Sequence, residues 1–521
     1  MKDRPTTLPR ALQFLFADRI DQLSPGLRDL LFWHSRPPRD AWHSFDSTPW
    51  RHPWLSLANL RSMKAFSARL RSDAQAQLER IPRGDWTGSY GFVGNIANAM
   101  YLRAKGLRRA GIAIDVIGAP GDNFVMSQAG WEEFDGDIDG LALDCAELWS
   151  RLPQVDRFFV FEPITEWPNM RLRQFPNFVR LSDFARWPDY LSQLPTLEKL
   201  QQYGALLTTQ VPYLAYLSGR PYLVAQCGGD LWYECARDDA LGRLQRAAFH
   251  HANAFLVSNP WSFAHARRYG MRHLVYLPLI LDQDTYCPGN GVVREQWQAQ
   301  SGGNFFVLST ARVDQFYKGS GVGLEGFAIF SREHAGARLV QMGWGNDFEP
   351  MRQRLVELGI ADRTIILPVA GKRRIISYLR SADCLLDQFR LGYFGATGLE
   401  AMACGLPAIM RLERDQYEAL CETGAPPVLD ASTPGEVCVQ LRRLSSDNEW
   451  AALVRQQHRD WFVRNHGSAQ WWPSYFAMLL LTARGHRFRF NGSPLCAPLD
   501  QEEREYHAAE LAKAPPFPNY S

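Results

Sequence analysis

The stretch Asp387–Ile409, DQFRLGYFGATGLEAMACGLPAI, constrains the fold more than any other part of this chain. The apolar run Cys384-Leu385-Leu386 before it reads as a short buried strand. Gly392 and Gly395 follow, and glycine reaches backbone angles that other residues avoid. From about Ala396 the period turns helical, with Leu399, Met402 and Ala403 on one face, and Gly405 and Pro407 end the helix. Ala408-Ile409-Met410 is a second apolar strand. Strand, glycine loop, helix and strand is the unit of a doubly wound α/β sheet. A helix that opens after a glycine loop presents unpaired N–H groups and a positive dipole end, which suits a phosphate. Gly395, Ala396 and Thr397 are the candidate anion binders, and Glu400, one turn in, is placed to accept two sugar hydroxyls.

Composition narrows the class. At 521 residues the chain predicts two or three domains. With 46% hydrophobic and 21% charged residues it is globular. A net charge of +2 argues for no nucleic-acid partner. No apolar run approaches the length of a membrane span; the longest, Tyr475–Leu481, is far too short. The first residues lack a secretory signal pattern. The nine cysteines are scattered, odd in number and without a CxxC pair, which predicts reduced thiols in the cytosol and no zinc site.

Residues 1–85 alternate tryptophan (Trp33, Trp42, Trp50, Trp54) with Arg36, Arg39 and Arg51. They read either as a surface for lipid or a large acceptor, or as a mostly helical extension packed on the next domain; the second is favoured because aromatic residues usually pack inside. Gly91–Asn95 reads as a glycine loop, followed by a helix through Ile96, Ala97, Met100, Ala104 and Leu107 and a strand at Ile112–Ile117. Gly94 and Asn95 in that loop either face a ligand or make a tight turn. Asp135–Asp144, DGDIDGLALD, fits the first positions of a calcium loop, but position twelve is Ala146, so a solvated acidic loop is the reading kept. The runs 157–162, 205–209, 222–226 and 254–258 read as successive buried parallel strands. Asp230 follows the third, where it serves either as a helix N-cap or in catalysis. Residues 289–303 read as a linker. The second half opens on a strand at 304–310 and a loop bearing Arg312 and Lys318; Leu339–Trp344 and 364–368 are further strands, the first ending in the turn of Gly343.

Phe394, Gly395, Leu399, Glu400, Ala401, Met402, Ala403, Gly405 and Pro407 resemble the donor-site motif E-G-F-G-x-x-x-L-E-A-M-A-x-G-x-P of GT-B glycosyltransferases, family 4-type (glycosyl transferases group 1), as a divergent member. The loop at Arg312–Lys318 is similar to that family's G-R-x-x-x-x-K-G, with Ala311 for the glycine and one extra residue. Two departures stand out: Gly392 replaces the first glutamate of the motif, and Cys227 replaces a histidine. Asp387 and Gln388, just upstream at a strand end, are expected to approach the same space by another route.

The resemblance implies a GT-B α/β fold, two Rossmann-like doubly wound domains facing across a cleft. The expected division is 1–85 extension, 86–290 acceptor domain, 303–470 nucleotide-sugar domain, and 471–521 the end of a helix crossing back to the first domain, with its tail. It implies a sugar transferred from a nucleotide sugar to an acceptor hydroxyl in bacterial-type glycan or glycoconjugate synthesis, with retention and without a metal or other cofactor. Asp230, Glu400, Arg312 and Lys318 are the expected catalytic residues; Gly94, Asn95, Gly343, Gly395, Ala396, Thr397, Asp387 and Gln388 the expected donor contacts. Two fixed cations and a helix start would stabilise the leaving diphosphate. The expected partners are a nucleotide sugar and a glycan or lipid-linked acceptor, with a peripheral contact to the inner face of the membrane left open for a cytoplasmic protein. The alternatives are an inert nucleotide-sugar-binding partner in glycan assembly and a GT-B sugar-nucleotide epimerase.

Overall fold

The structure is a computed structural model. It describes residues 57–80, 88–118, 130–138, 159–160, 194–225, 228, 230, 231, 235, 240–268, 271 and 273–488. The four tryptophans of the extension, Cys227 and Asp139–Asp144 lie outside the described residues. The described residues form two compact units.

The first unit carries a seven-stranded sheet. Its strands are β1 (Tyr90–Val93), β2 (Ile114–Ile117), β3 (Phe159–Val160), β4 (Ala205–Thr208), β5 (Tyr222–Ala225), β6 (Ala254–Val257) and β7 (Leu274–Tyr276). The order is β3-β2-β1-β4-β5-β6-β7, and every pair is parallel. Every residue of β1, β4, β5 and β6 is buried, because helices cover both faces of such a sheet. This is why these strands read as unbroken apolar runs. The order reverses between β1 and β4, a switch point where such sheets bind ligands. The helix Leu57–Arg80 docks on this unit: Leu60, Met63 and Phe66 are buried and Ser67 Oγ accepts the Tyr276 amide at 2.7 Å.

One expectation is corrected at β1. Gly91 belongs to a strand, and the loop begins only at Gly94. The helix starts at Ala99, not Ile96, because Ala97 and Asn98 take φ of 51° and 54°. A Cβ at Gly94 would lie 2.4 Å from the Thr209 carbonyl oxygen, so close approach of two chain segments requires glycine there.

The second unit carries a six-stranded parallel sheet of β8 (Phe305–Ser309), β9 (Ala337–Met342), β10 (Thr364–Leu367), β11 (Cys384–Leu386), β12 (Ala408–Met410) and β13 (Leu429–Asp430). The order is β10-β9-β8-β11-β12-β13, so its switch point falls between β8 and β11. Val307, Phe327, Leu339, Cys384, Ile409, Val437 and Leu441 sit in one apolar cluster on one side of the sheet. Two doubly wound parallel sheets are the fold class the sequence predicts.

Sequence order and spatial grouping part company at 130–138, which group with the second unit. This strap runs antiparallel to residues 369–373: the Ile138 amide donates to Val369 O at 2.6 Å, Gly371 to Gly136 O at 2.9 Å, and Arg373 to Phe134 O at 3.1 Å. Asp135 faces Arg374 Nε at 3.3 Å and Asp137 accepts from the Tyr378 hydroxyl at 3.4 Å. The described part of the acidic loop is therefore a docking element.

The helix Asn448–His466 belongs to the second unit, and residues 471–488 to the first. Trp471-Trp472-Pro473 does not break the last helix among the described residues, which runs Ser468–Ala483 with Pro473 inside it. The break is at Gly467, where a Cβ would lie 2.4 Å from Gln283 Oε1.

Candidate functional site

The C-terminal edge of the second sheet gathers the chemistry. β11 ends at Leu386, so Asp387 and Gln388 leave the strand into the glycine loop. Both are buried. The Lys318 ammonium donates to Asp387 Oδ1 and to Gln388 Oε1, each at 3.0 Å. Phe389 N donates to Lys318 O at 2.7 Å, which ties the two loops together by backbone as well. An ammonium has three N–H donors, and these two bonds use two of them. A Cβ built on Gly395 would lie 3.7 Å from Lys318 Nζ.

Gly395 is the N-cap of the helix Ala396–Ala403, and no side chain caps it. The first amide with an acceptor is Leu399, which bonds Gly395 O at 3.2 Å. The amides of Ala396, Thr397 and Gly398 have none among the described residues. Three open N–H groups and a pinned ammonium thus meet at one helix start. That arrangement binds an anion with several oxygens.

Glu400 is only 2% exposed and ion-paired with Lys372, itself 5% exposed. Burial raises the Glu400 pKa, and the neighbouring Lys372 opposes that rise. Lys372 Nζ lies 4.4 Å from the centre of the Trp131 ring, and the Trp131 indole donates to Ala370 O at 2.9 Å. Glu132, next to Trp131, accepts from the Tyr286 hydroxyl at 2.6 Å. The strap therefore packs on the lysine that pairs with the carboxylate expected to hold sugar hydroxyls.

Arg312 is bonded to none of these residues. It is 40% exposed, pairs with Asp314 Oδ2 at 3.3 Å and lies over the Tyr317 ring. Asp314 also accepts the Tyr317 amide at 2.7 Å, so the loop is shaped by its own carboxylate. Gly343 is a packing glycine: its Cβ would meet Phe348 Cζ at 2.9 Å.

Residues 294–422, which hold all of this geometry, match the family described as Glycosyl transferases group 1. The match lies within the second unit. D-inositol 3-phosphate glycosyltransferase of Acidothermus cellulolyticus is 25% identical over 213 residues, covering 38% of this chain and 47% of the relative. Mannosylfructose-phosphate synthase of Agrobacterium fabrum is 23% identical over 163 residues, covering 29% of this chain and 36% of the relative. The chain thus spans less than half the length of these curated relatives. Among solved structures, HepE of Anabaena in complex with UDP and glucose superposes with a TM-score of 0.54 at 13% identity, over 76% of this chain and 99% of HepE. Sucrose-phosphate synthase of Thermosynechococcus elongatus gives 0.51 at 15% identity, over 76% of this chain and 97% of the synthase. These superpositions show the GT-B fold.

Two expected site residues of the first unit are used internally. Asp230, 3% exposed, takes the amides of Gly228 and Leu231 on Oδ1 at 3.0 and 2.9 Å, and that of Gln210 on Oδ2 at 3.3 Å. It braces a turn at Gln210, which holds a φ of 60°. Asn95 is fully buried, donates to Asn98 Oδ1 at 2.7 Å and accepts the Tyr101 amide at 2.8 Å. The second unit also uses residues the sequence did not single out. Lys372 opens a helix in the run Lys372-Arg373-Arg374, where nothing distinguishes one cation from its neighbours. Among the described residues no group of three or more His, Cys, Asp or Glu is placed to hold a metal ion.

Proposed function

We propose that this chain is a glycosyltransferase that moves a sugar from a nucleotide sugar to an acceptor hydroxyl. The observation that carries this is the Lys318 ammonium, held by Asp387 and Gln388 beside three open amides at the start of the helix Ala396–Ala403. The diphosphate of the donor binds there. As the glycosidic bond to phosphate breaks, charge grows on the leaving oxygen, and a fixed cation and oriented N–H dipoles stabilise it without reorganising. The likeness of the second unit to glycosyltransferases supports the reading. Retention of configuration, activity without a divalent metal, and an acceptor from surface glycan or glycoconjugate synthesis complete the proposal.

A second reading is binding of the nucleotide sugar without turnover. It is favoured by the sealed Lys372–Glu400 pair. Calorimetry with nucleotide sugars beside a product assay separates the two: binding with transfer supports the enzyme, and binding without transfer to any acceptor supports the inert partner. Incubation of donor alone tests epimerisation, which would yield an isomeric sugar nucleotide. Addition of a chelator tests the metal; activity lost with chelator and restored by a divalent ion would overturn that part.

A further inference from the structure

Gly392 leaves the glycine loop without a side chain at its bend, and another residue fills that space. Gly392 has φ +67°, and a Cβ built on it would lie 2.6 Å from Glu413 Cγ and 3.1 Å from Glu413 Oε1. The two are also joined by backbone, since Glu413 N donates to Gly392 O at 2.7 Å. Glu413 follows β12 and is 29% exposed, so solvent reaches it, unlike Glu400. Arg411 Nη2 donates to its Oε1 at 2.8 Å, while Oε2 has no hydrogen-bond partner among the described residues. Arg411 is itself fixed on the loop, donating through its amide to Gln388 O at 2.9 Å and through Nη1 to Arg390 O at 3.0 Å. Gln388 thus links the Lys318 ammonium on one side to the Arg411–Glu413 pair on the other.

We propose that Glu413 is a donor-sugar contact, its Oε2 accepting a hydrogen bond from a hydroxyl of the transferred sugar. This rests on the glycosyltransferase reading above. The chemistry selects the ligand group: a carboxylate beside an anion site repels phosphate oxygens and accepts from neutral hydroxyls. Arg411 offsets the charge of Glu413 and orients it, leaving one oxygen open. The positive φ at Gly392 and the contact with Glu413 explain why a side chain at 392 and the Glu413 carboxylate exclude each other.

The test compares each nucleoside diphosphate with its sugar conjugate by calorimetry: UDP with UDP-glucose, GDP with GDP-mannose, ADP with ADP-glucose. Glu413→Gln, which keeps the shape, is expected to weaken the conjugate that binds wild type about 10- to 100-fold, with the free diphosphate changed less than about twofold. Arg411→Met serves as a second variant and shifts both ligands if the pair only braces the loop. Equal weakening of both ligands by Glu413→Gln, or no change in either, overturns the assignment of Glu413 and leaves the transferase reading standing. If none of the diphosphates binds wild type, the transferase reading itself falls, and the assignment with it.

Discussion

Lys318 Nζ lies 3.0 Å from Asp387 Oδ1, and Asp387 is fully buried while Lys318 keeps a partly open side. The pair joins the loop after β8 to the loop after β11, the two strands at the sheet's switch point. Gly398 makes room for the carboxylate, since a Cβ there would lie 3.1 Å from Asp387 Oδ2. Lys318→Ala is expected to lower turnover by about two to three orders of magnitude, the usual effect of losing one stabiliser of developing charge. Arg312→Ala, at an exposed pair, is expected to cost less than about tenfold. Steady-state kinetics of the two variants checks the ranking; equal losses would place Arg312 in the site as well.

The buried Lys372–Glu400 pair makes a stability prediction. Glu400→Gln alone leaves a buried ammonium without its counter-charge and is expected to destabilise by about 3 to 5 kcal/mol. Glu400→Gln with Lys372→Met removes both charges and is expected to recover most of that loss. Urea unfolding of both variants decides it. The double variant then separates folding from binding: if Glu400 also holds the pentose, nucleotide affinity stays low in a stable protein.

Trp131 lies on Lys372 and donates to Ala370 O. Glu400 is buried, so ribose hydroxyls reach it only if its surroundings shift, and the strap that packs on its partner Lys372 is the candidate. Trp131→Phe deletes the N–H donor and keeps a ring, loosening the strap by about 1 kcal/mol. Affinity for a nucleoside diphosphate is expected to rise about fivefold. A fall in affinity, measured by calorimetry, would make Trp131 a wall of the pocket instead.

His458 supplies a pH dependence. It is completely buried, accepts the Ala408 amide on Nε2 at 3.2 Å and meets Val454 O through Nδ1 at 2.8 Å. Burial lowers its pKa from 6.5 to about 4. The folded state therefore prefers the neutral ring. Its contribution is complete above pH 6.5 and is lost as pH falls toward 4, amounting to about 3 kcal/mol. His458→Gln is expected to flatten unfolding free energy across that window, read from urea titrations at a series of pH values.

The sheets were legible because parallel strands covered on both faces must be apolar throughout, as at 205–208, 222–225 and 254–257. The helix start at Gly395 was legible because its glycine and its period are local signals. Pairings between distant segments were not. Lys372 meets Glu400 across 28 positions and Arg373 meets Glu133 across 240, and neither spacing has a periodic signature. The amides gathered by Asp230 were not legible either, because a buried carboxylate that braces a turn and one that takes a proton look alike in sequence. Glu413 was invisible for a similar reason: only the fold reveals that it occupies the volume beside Gly392.

Grouping 130–138 with the second unit and 471–488 with the first means the chain passes between the units four times. Neither unit is an unbroken stretch of polypeptide. A fragment starting at the interdomain linker would lack Trp131 and the carbonyls that meet the Gly371 and Arg373 amides. During synthesis the first unit therefore waits for residues 471–488, which emerge only after the described residues of the second unit have been made.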